Sequence, residues 1–149
     1  MVNVVLGIVE KENKILLVKR KREDFTNLWA IPGGKVEECE HLDNAIIREM
    51  HEEIGISMNF VKLLGTATEI MHDKNSTSLL YICLLNMKED AVIANPEFET
   101  KWFTIDEIKK ANNIVESDKM FIELFYFQHD KNYLKLDCYR DDTGKYYWK

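Results

Sequence analysis

The chain predicts an α/β or α+β fold, a sandwich around a central mixed sheet. Three observations point there. Short apolar stretches with strand character recur along the chain, separated by polar turns. Two longer segments, 42–54 and 118–128, carry apolar residues at helical spacing. Both stand between strand candidates, as helices that cover a sheet do.

The elements follow in order. Residues 2–10 and 14–20 read as a hairpin across the polar turn 11–13. A polar loop, 21–27, leads to LWAIPGGKVE, a short strand broken at Pro32, Gly33 and Gly34. Helix 42–54 ends where Gly55 is placed to cap it. Strands are expected at 60–71 and 78–87, joined by HDKNSTS, and a shorter one at 101–104. Residues 105–111 suit a helical turn or two, and 118–128 a second packed helix. YLKLDCY, the turn 141–144 and KYYWK predict a final hairpin.

At 149 residues the chain is expected to form one domain, with 46% hydrophobic and 31% charged residues. The net charge of -6 argues against stable nucleic-acid binding, which wants a basic surface. Cys39, Cys83 and Cys138 form no CxxC pair, so neither a zinc site nor a disulfide framework is expected. The opening MVNVVLGIVEKE lacks the basic start and cleavage site of a signal peptide. The longest uncharged run, 75–87, is too short and polar to span a bilayer. A cytoplasmic protein without membrane contact is the expectation; the sequence assigns no oligomeric state.

The stretch REMHEEIGI raises the chemical question, because it gathers Glu49, Glu52 and Glu53. With Leu42 at zero on a helical wheel, Ile46, Met50 and Ile54 fall near roughly 40°, 80° and 120°. Glu53 falls near roughly 20° and Glu49 near 340°, at the edge of that apolar stripe, while Glu52 lies near 280°. The outer side carries Asn44, Arg48 and His51. Carboxylates at such an edge lose hydration, and a divalent cation compensates them; hard oxygen ligands select Mg²⁺ or Mn²⁺. A solvated helix face is the competing reading. Arg48 pairs with Glu52, four residues on, or with Glu40, or forms an ordinary surface ion pair.

The wider window GKVEECEHLDNAIIREMHEEIGI, 34–56, resembles at every fixed position the signature of the Nudix hydrolases. Those positions hold Gly34, Glu40, Arg48, Glu49, Met50, Glu52, Glu53, Gly55 and Ile56. WAIPGGK before the window and PEFETKWFTIDEI after it extend the resemblance. It implies a Nudix-type α/β/α sandwich with a catalytic loop-helix-loop. It also implies metal-dependent hydrolysis of a diphosphate linked to a nucleoside or another group. By resemblance, the Gly34 carbonyl, Glu49, Glu52 and Glu53 hold the metal, with a further acid from the loop before Trp102. Glu97 is preferred to Glu99 for that place. Glu49, Glu52 and Arg48 form the expected catalytic set, with Glu49 the first choice for base, though one of the other acids can take that role.

The resemblance leaves the substrate wider. A proline and a tyrosine that mark ADP-ribose and dinucleoside polyphosphate hydrolases are missing near 71–74. The expected substrate is therefore a nucleoside triphosphate, cut to monophosphate and pyrophosphate. A nucleotide sugar, a dinucleotide, an RNA 5′ end and a non-catalytic nucleotide binder are the alternatives. KWFTIDEI, IVESDKMF and YLKLDCY resemble oxidised-purine triphosphatases of the MutT type, where an acid or amide near the start of the second helix contacts the purine. Asp118 stands at that place, and with Ser117 it equally fits a helix N-cap. Ala30 departs from the asparagine often found before the glycines. Lys19, in the run KRKR, and Lys35 are candidates for the phosphates; Trp29, Phe25 and Tyr81 could stack on a base or belong to the core.

Overall fold

The computed structural model describes residues 1–21, 27–88 and 96–149, so Phe25 lies outside the described residues. Strand β1 (Val2–Lys11) is the axis of the molecule. Its start pairs antiparallel with β4 (Gly33–Lys35) and, along its other edge, parallel with β6 (Ser76–Met87). Its end turns back into β2 (Lys14–Lys19). On the β2 side lie β3 (Trp29–Ala30) and β7 (Thr100–Thr104), both antiparallel to β2. On the β6 side follow β5 (Met58–Met71), β8 (Tyr133–Arg140) and β9 (Tyr146–Trp148). The described strands make one mixed sheet in the order β3-β2-β1-β6-β5-β8-β9.

Parity along the strands explains the two cores. In β1 and β2, Val5, Val9, Leu16 and Val18 face helix α1 (Leu42–Ile54), meeting its Ala45, Ile46, Met50 and Ile54. The alternate residues Leu6, Ile8, Ile15 and Leu17 face the opposite side. There they meet Ile108 of α2 (Ile105–Lys110) and Phe121 of α3 (Glu116–Phe121). Strands buried on both faces read as nearly continuous apolar runs, as GIVEKENKILLV does around its turn. Thr104 and Glu107 start α2 with a reciprocal capping box. Gly55, at φ 72°, ends α1 in the left-handed conformation expected of it.

Two expectations for the segment after α2 need correction. The segment 118–128 is not one α-helix: α3 begins earlier, at Glu116, and passes into a π-helical stretch, Ile122–Phe127. Asp118 is no N-cap either, for Val115 holds that position and no side chain caps the helix. The strand expected to break at Pro32, Gly33 and Gly34 does so, into β3 and β4 with different partners.

Gly33 sits where β4 pairs with β1, opposite Leu6, and a Cβ there would run into the backbone at Val5 and Leu6. Backbone cannot step aside as a flexible side chain can. Gly33→Ala should therefore destabilise the fold by about 1–3 kcal/mol, the usual cost of overpacking, seen as a lower urea midpoint. An unchanged midpoint would mean β4 moves without cost. Among the described residues no helix is long and apolar enough to cross a membrane. Cys83 and Cys138 are buried, with thiols pushed up to about 12 by burial, while Cys39 is exposed; all three are free.

Candidate active site

The loop between β4 and α1 folds back over the helix and gives Arg48 its surroundings. Arg48 Nε and Nη2 grip both oxygens of Glu40, at 2.7 and 2.9 Å, and Nη2 also reaches the Lys35 carbonyl at 3.1 Å. Its Nη1 donates to Glu49 Oε1 at 2.9 Å and to Glu52 Oε2 at 3.1 Å. Arg48 is thus more than a surface partner, though the wheel puts it on the outer side: the 35–40 loop covers that side. Of the two partners expected for it, Glu40 and Glu52, it holds both. The Arg48 hydrogen bond holds the Glu40 carboxyl down at about 2, and Glu40 in turn raises the guanidinium.

Glu49 and Glu53 line a cavity of about 410 Å³ together with Gly33, Gly34, Lys35 and Arg20. Gly34 is a cradle: a Cβ on it would meet the Glu49 carboxylate and push that acid away from the backbone it now lies against. Glu53 Oε2 accepts from the Gly33 N–H at 3.3 Å. Burial, and next the charge of Glu49, push the Glu53 carboxyl up to about 7; Arg20 and the Gly33 N–H oppose this. Glu97 adds to the same rise, and its N–H donates to the Glu53 carbonyl at 2.8 Å. Among the described residues no three His, Cys, Asp or Glu side chains already converge as a ligand set.

The other predicted residues separate. Glu52 is half exposed and does not line the cavity. Lys35 lines it, but Lys19 does not: it sits 4.0 Å from Glu99 Oε2 and 5.8 Å from the Trp29 ring centre. Trp29 is core, buried edge-on against Phe103, and not a stacking surface. Asp118 is buried, its Oδ2 accepting from the Ile31 N–H at 3.0 Å. It lines a second cavity, of about 190 Å³, which shares Val4, Leu6 and Arg20 with the first.

Arg20 is the residue that sequence reasoning missed, since attention fell on its neighbour Lys19. It borders both cavities, opposes the rise of both Glu53 and Asp118, and has a buried Nε with no hydrogen-bond partner among the described residues. Arg20 stands one residue past the end of β2, where strand parity no longer applies, so its place beside Val4 and Leu6 in both cavities follows from the fold and not from a local pattern.

The nine described strands in one mixed sheet between helices, with acids gathered beside the glycines of β4, define a class. The NUDIX domain profile matches residues 1–125. The chain belongs to the Nudix hydrolase family. It is 33% identical over 105 residues to the ADP-ribose pyrophosphatase of Methanocaldococcus jannaschii, covering 70% of this chain and 62% of that protein. It is 32% identical over 111 residues to the 8-oxo-dGTP diphosphatase of Buchnera aphidicola, covering 74% and 82%. The chain therefore spans less than two thirds of the first relative and most of the second. In fold it matches the crystal structure of a MutT protein from Methanosarcina mazei, with TM-score 0.72, 22% identity and 87% and 96% of the two chains.

Proposed function

We propose that the chain hydrolyses a nucleoside triphosphate, oxidised purine forms included, to the monophosphate and pyrophosphate with Mg²⁺ or Mn²⁺. The observation that carries this reading is the pair of adjoining cavities joined at Arg20. One offers acids and glycine backbone to a diphosphate, the other a buried carboxyl to a base.

The residues fit a divalent metal. Every donor is a hard oxygen, the Gly34 cradle leaves room beside Glu49, and the crowding of Glu49, Glu53 and Glu97 is what a cation relieves. Gly34, Glu49, Glu53 and Glu97 would hold it, and Glu52, which points out of the cavity toward Arg48, would have to turn inward to join them. When bound, the ion neutralises non-bridging oxygens and makes water more acidic. Glu97 takes this role rather than Glu99, which is turned toward Lys19. Arg48 keeps Glu49 and Glu52 oriented. Arg20 and Lys35 lie against the phosphates, and Lys19 has no part in that contact. Glu49 accepts the proton of the attacking water as its oxygen bonds to phosphorus, and the bridging oxygen leaves with pyrophosphate.

A panel of triphosphates, nucleotide sugars and ADP-ribose with Mg²⁺, with pyrophosphate and phosphate assayed separately, tests this. Pyrophosphate from triphosphates is the expected result. Turnover confined to ADP-ribose, the compound named for the relative that is 33% identical, would overturn the substrate reading.

A further inference from the structure

The second cavity has a wall that the glutamate-rich segment does not build. Asp118 enters it from α3 and Glu69 from β5, while Trp148 comes from β9. Trp148 lies beyond the residues 1–125 that the NUDIX profile matches. Its indole Nε1 donates to Glu69 Oε2 at 2.8 Å, as the Ile31 N–H does to Asp118 Oδ2. Each carboxyl thus has one oxygen fixed by the protein inside a cavity large enough for a flat heterocycle. The two acids are close enough that Glu69 contributes to the upward shift of Asp118, and burial raises both. An ion pair or an apolar side chain would fasten β9 to β5 more cheaply than a half-buried carboxyl beside a second one. Paired acids make sense where a ligand brings N–H groups to them.

We propose that Glu69, held by the Trp148 indole, is a specificity-determining residue that acts with Asp118 to select nucleobases presenting an exocyclic amino group. The proposal rests on the reading that a nucleotide is the substrate and that its base enters this cavity. Trp148 is a positioning residue: it fixes which oxygen of Glu69 is spent on the protein and which faces the ligand.

That geometry makes a sharp distinction between variants. In Glu69→Gln the amide oxygen is required by the Trp148 N–H, so the amide NH₂ must face the base, donor against donor. In Glu69→Gln combined with Trp148→Phe the amide is released and can turn its oxygen back to the base.

The test is calorimetric binding of nucleoside monophosphates in the pairs GMP and IMP, AMP and IMP, and CMP and UMP. The wild type should bind the amino-bearing member at least about tenfold more tightly in at least one pair, the worth of one discriminating hydrogen bond. Glu69→Gln should cut that preference below about threefold, and the added Trp148→Phe should restore part of it. A flat ranking in the wild type overturns the proposal whatever the variants do. A ranking unchanged in Glu69→Gln overturns it too, leaving the Glu69–Trp148 bond a mere fastening. If the ranking behaves as stated but no triphosphate is cleaved, the pocket assignment stands and the triphosphatase reading falls.

Discussion

Glu49→Gln should lower kcat by about 100- to 10,000-fold, the range that a lost general base costs, while leaving the fold intact. Glutamine is nearly isosteric, and its amide oxygen can still accept from Arg48 Nη1, which holds Glu49 at 2.9 Å. What disappears is the negative charge beside Gly34 and the ability to take a proton. Loss of that charge also relieves Glu53, whose carboxyl Glu49 helps to raise. The melting temperature should therefore hold or rise while turnover collapses. Glu52→Gln is the informative comparison: Glu52 is half exposed and outside the cavity, so it should cost less than Glu49→Gln. Steady-state kinetics beside thermal melts of both variants measures this. A Glu49→Gln kcat within threefold of wild type would remove Glu49 from the chemistry.

The sandwich and the acids were legible for a shared reason: periodicity and spacing are local properties. The wheel set Glu49 and Glu53 at the edge of the α1 core face, and they line the cavity there. The fixed glycines could be read because a glycine is demanded by close approach, and Gly34 meets Glu49. Legibility failed where the answer depended on a distant segment. The outer side of α1 looked solvent-facing because nothing in a wheel shows a loop folding over Arg48. For Trp29 the sequence leaves base stacking and core open, and only Phe103 and Ile114, far along the chain, decide for the core. Asp118 looked like a cap because Ile31, whose N–H it accepts, is 87 positions away. The π-helical Ile122–Phe127 shows the same limit, since an apolar pattern does not tell a 3.6-residue period from a slightly wider turn.

Asp118→Asn should flatten part of the pH dependence of stability and leave the variant more stable than the wild type above neutrality. Burial, the first cause, pushes the folded-state carboxyl from 3.8 up to about 7, with Glu69 adding to it and Arg20 and the Ile31 N–H opposing. Between those two values the folded chain keeps a proton that the unfolded chain has released. Unfolding then releases a proton, so stability falls as pH rises from about 4 to about 7, and the loss is complete above that. A shift of roughly three units corresponds to about 4 kcal/mol, an upper figure for the contribution of this one group. Asparagine can keep the bond from the Ile31 N–H through its amide oxygen but has no charge to bury. Glu53 is present in both proteins and cancels in the difference between the two curves, which reports Asp118 together with its coupling to Glu69. Urea midpoints of wild type and variant at pH 5 and pH 8 measure it. The gap should open in favour of the variant toward pH 8; parallel curves would show that Asp118 finds enough compensation at Arg20 to stay ionised in the fold.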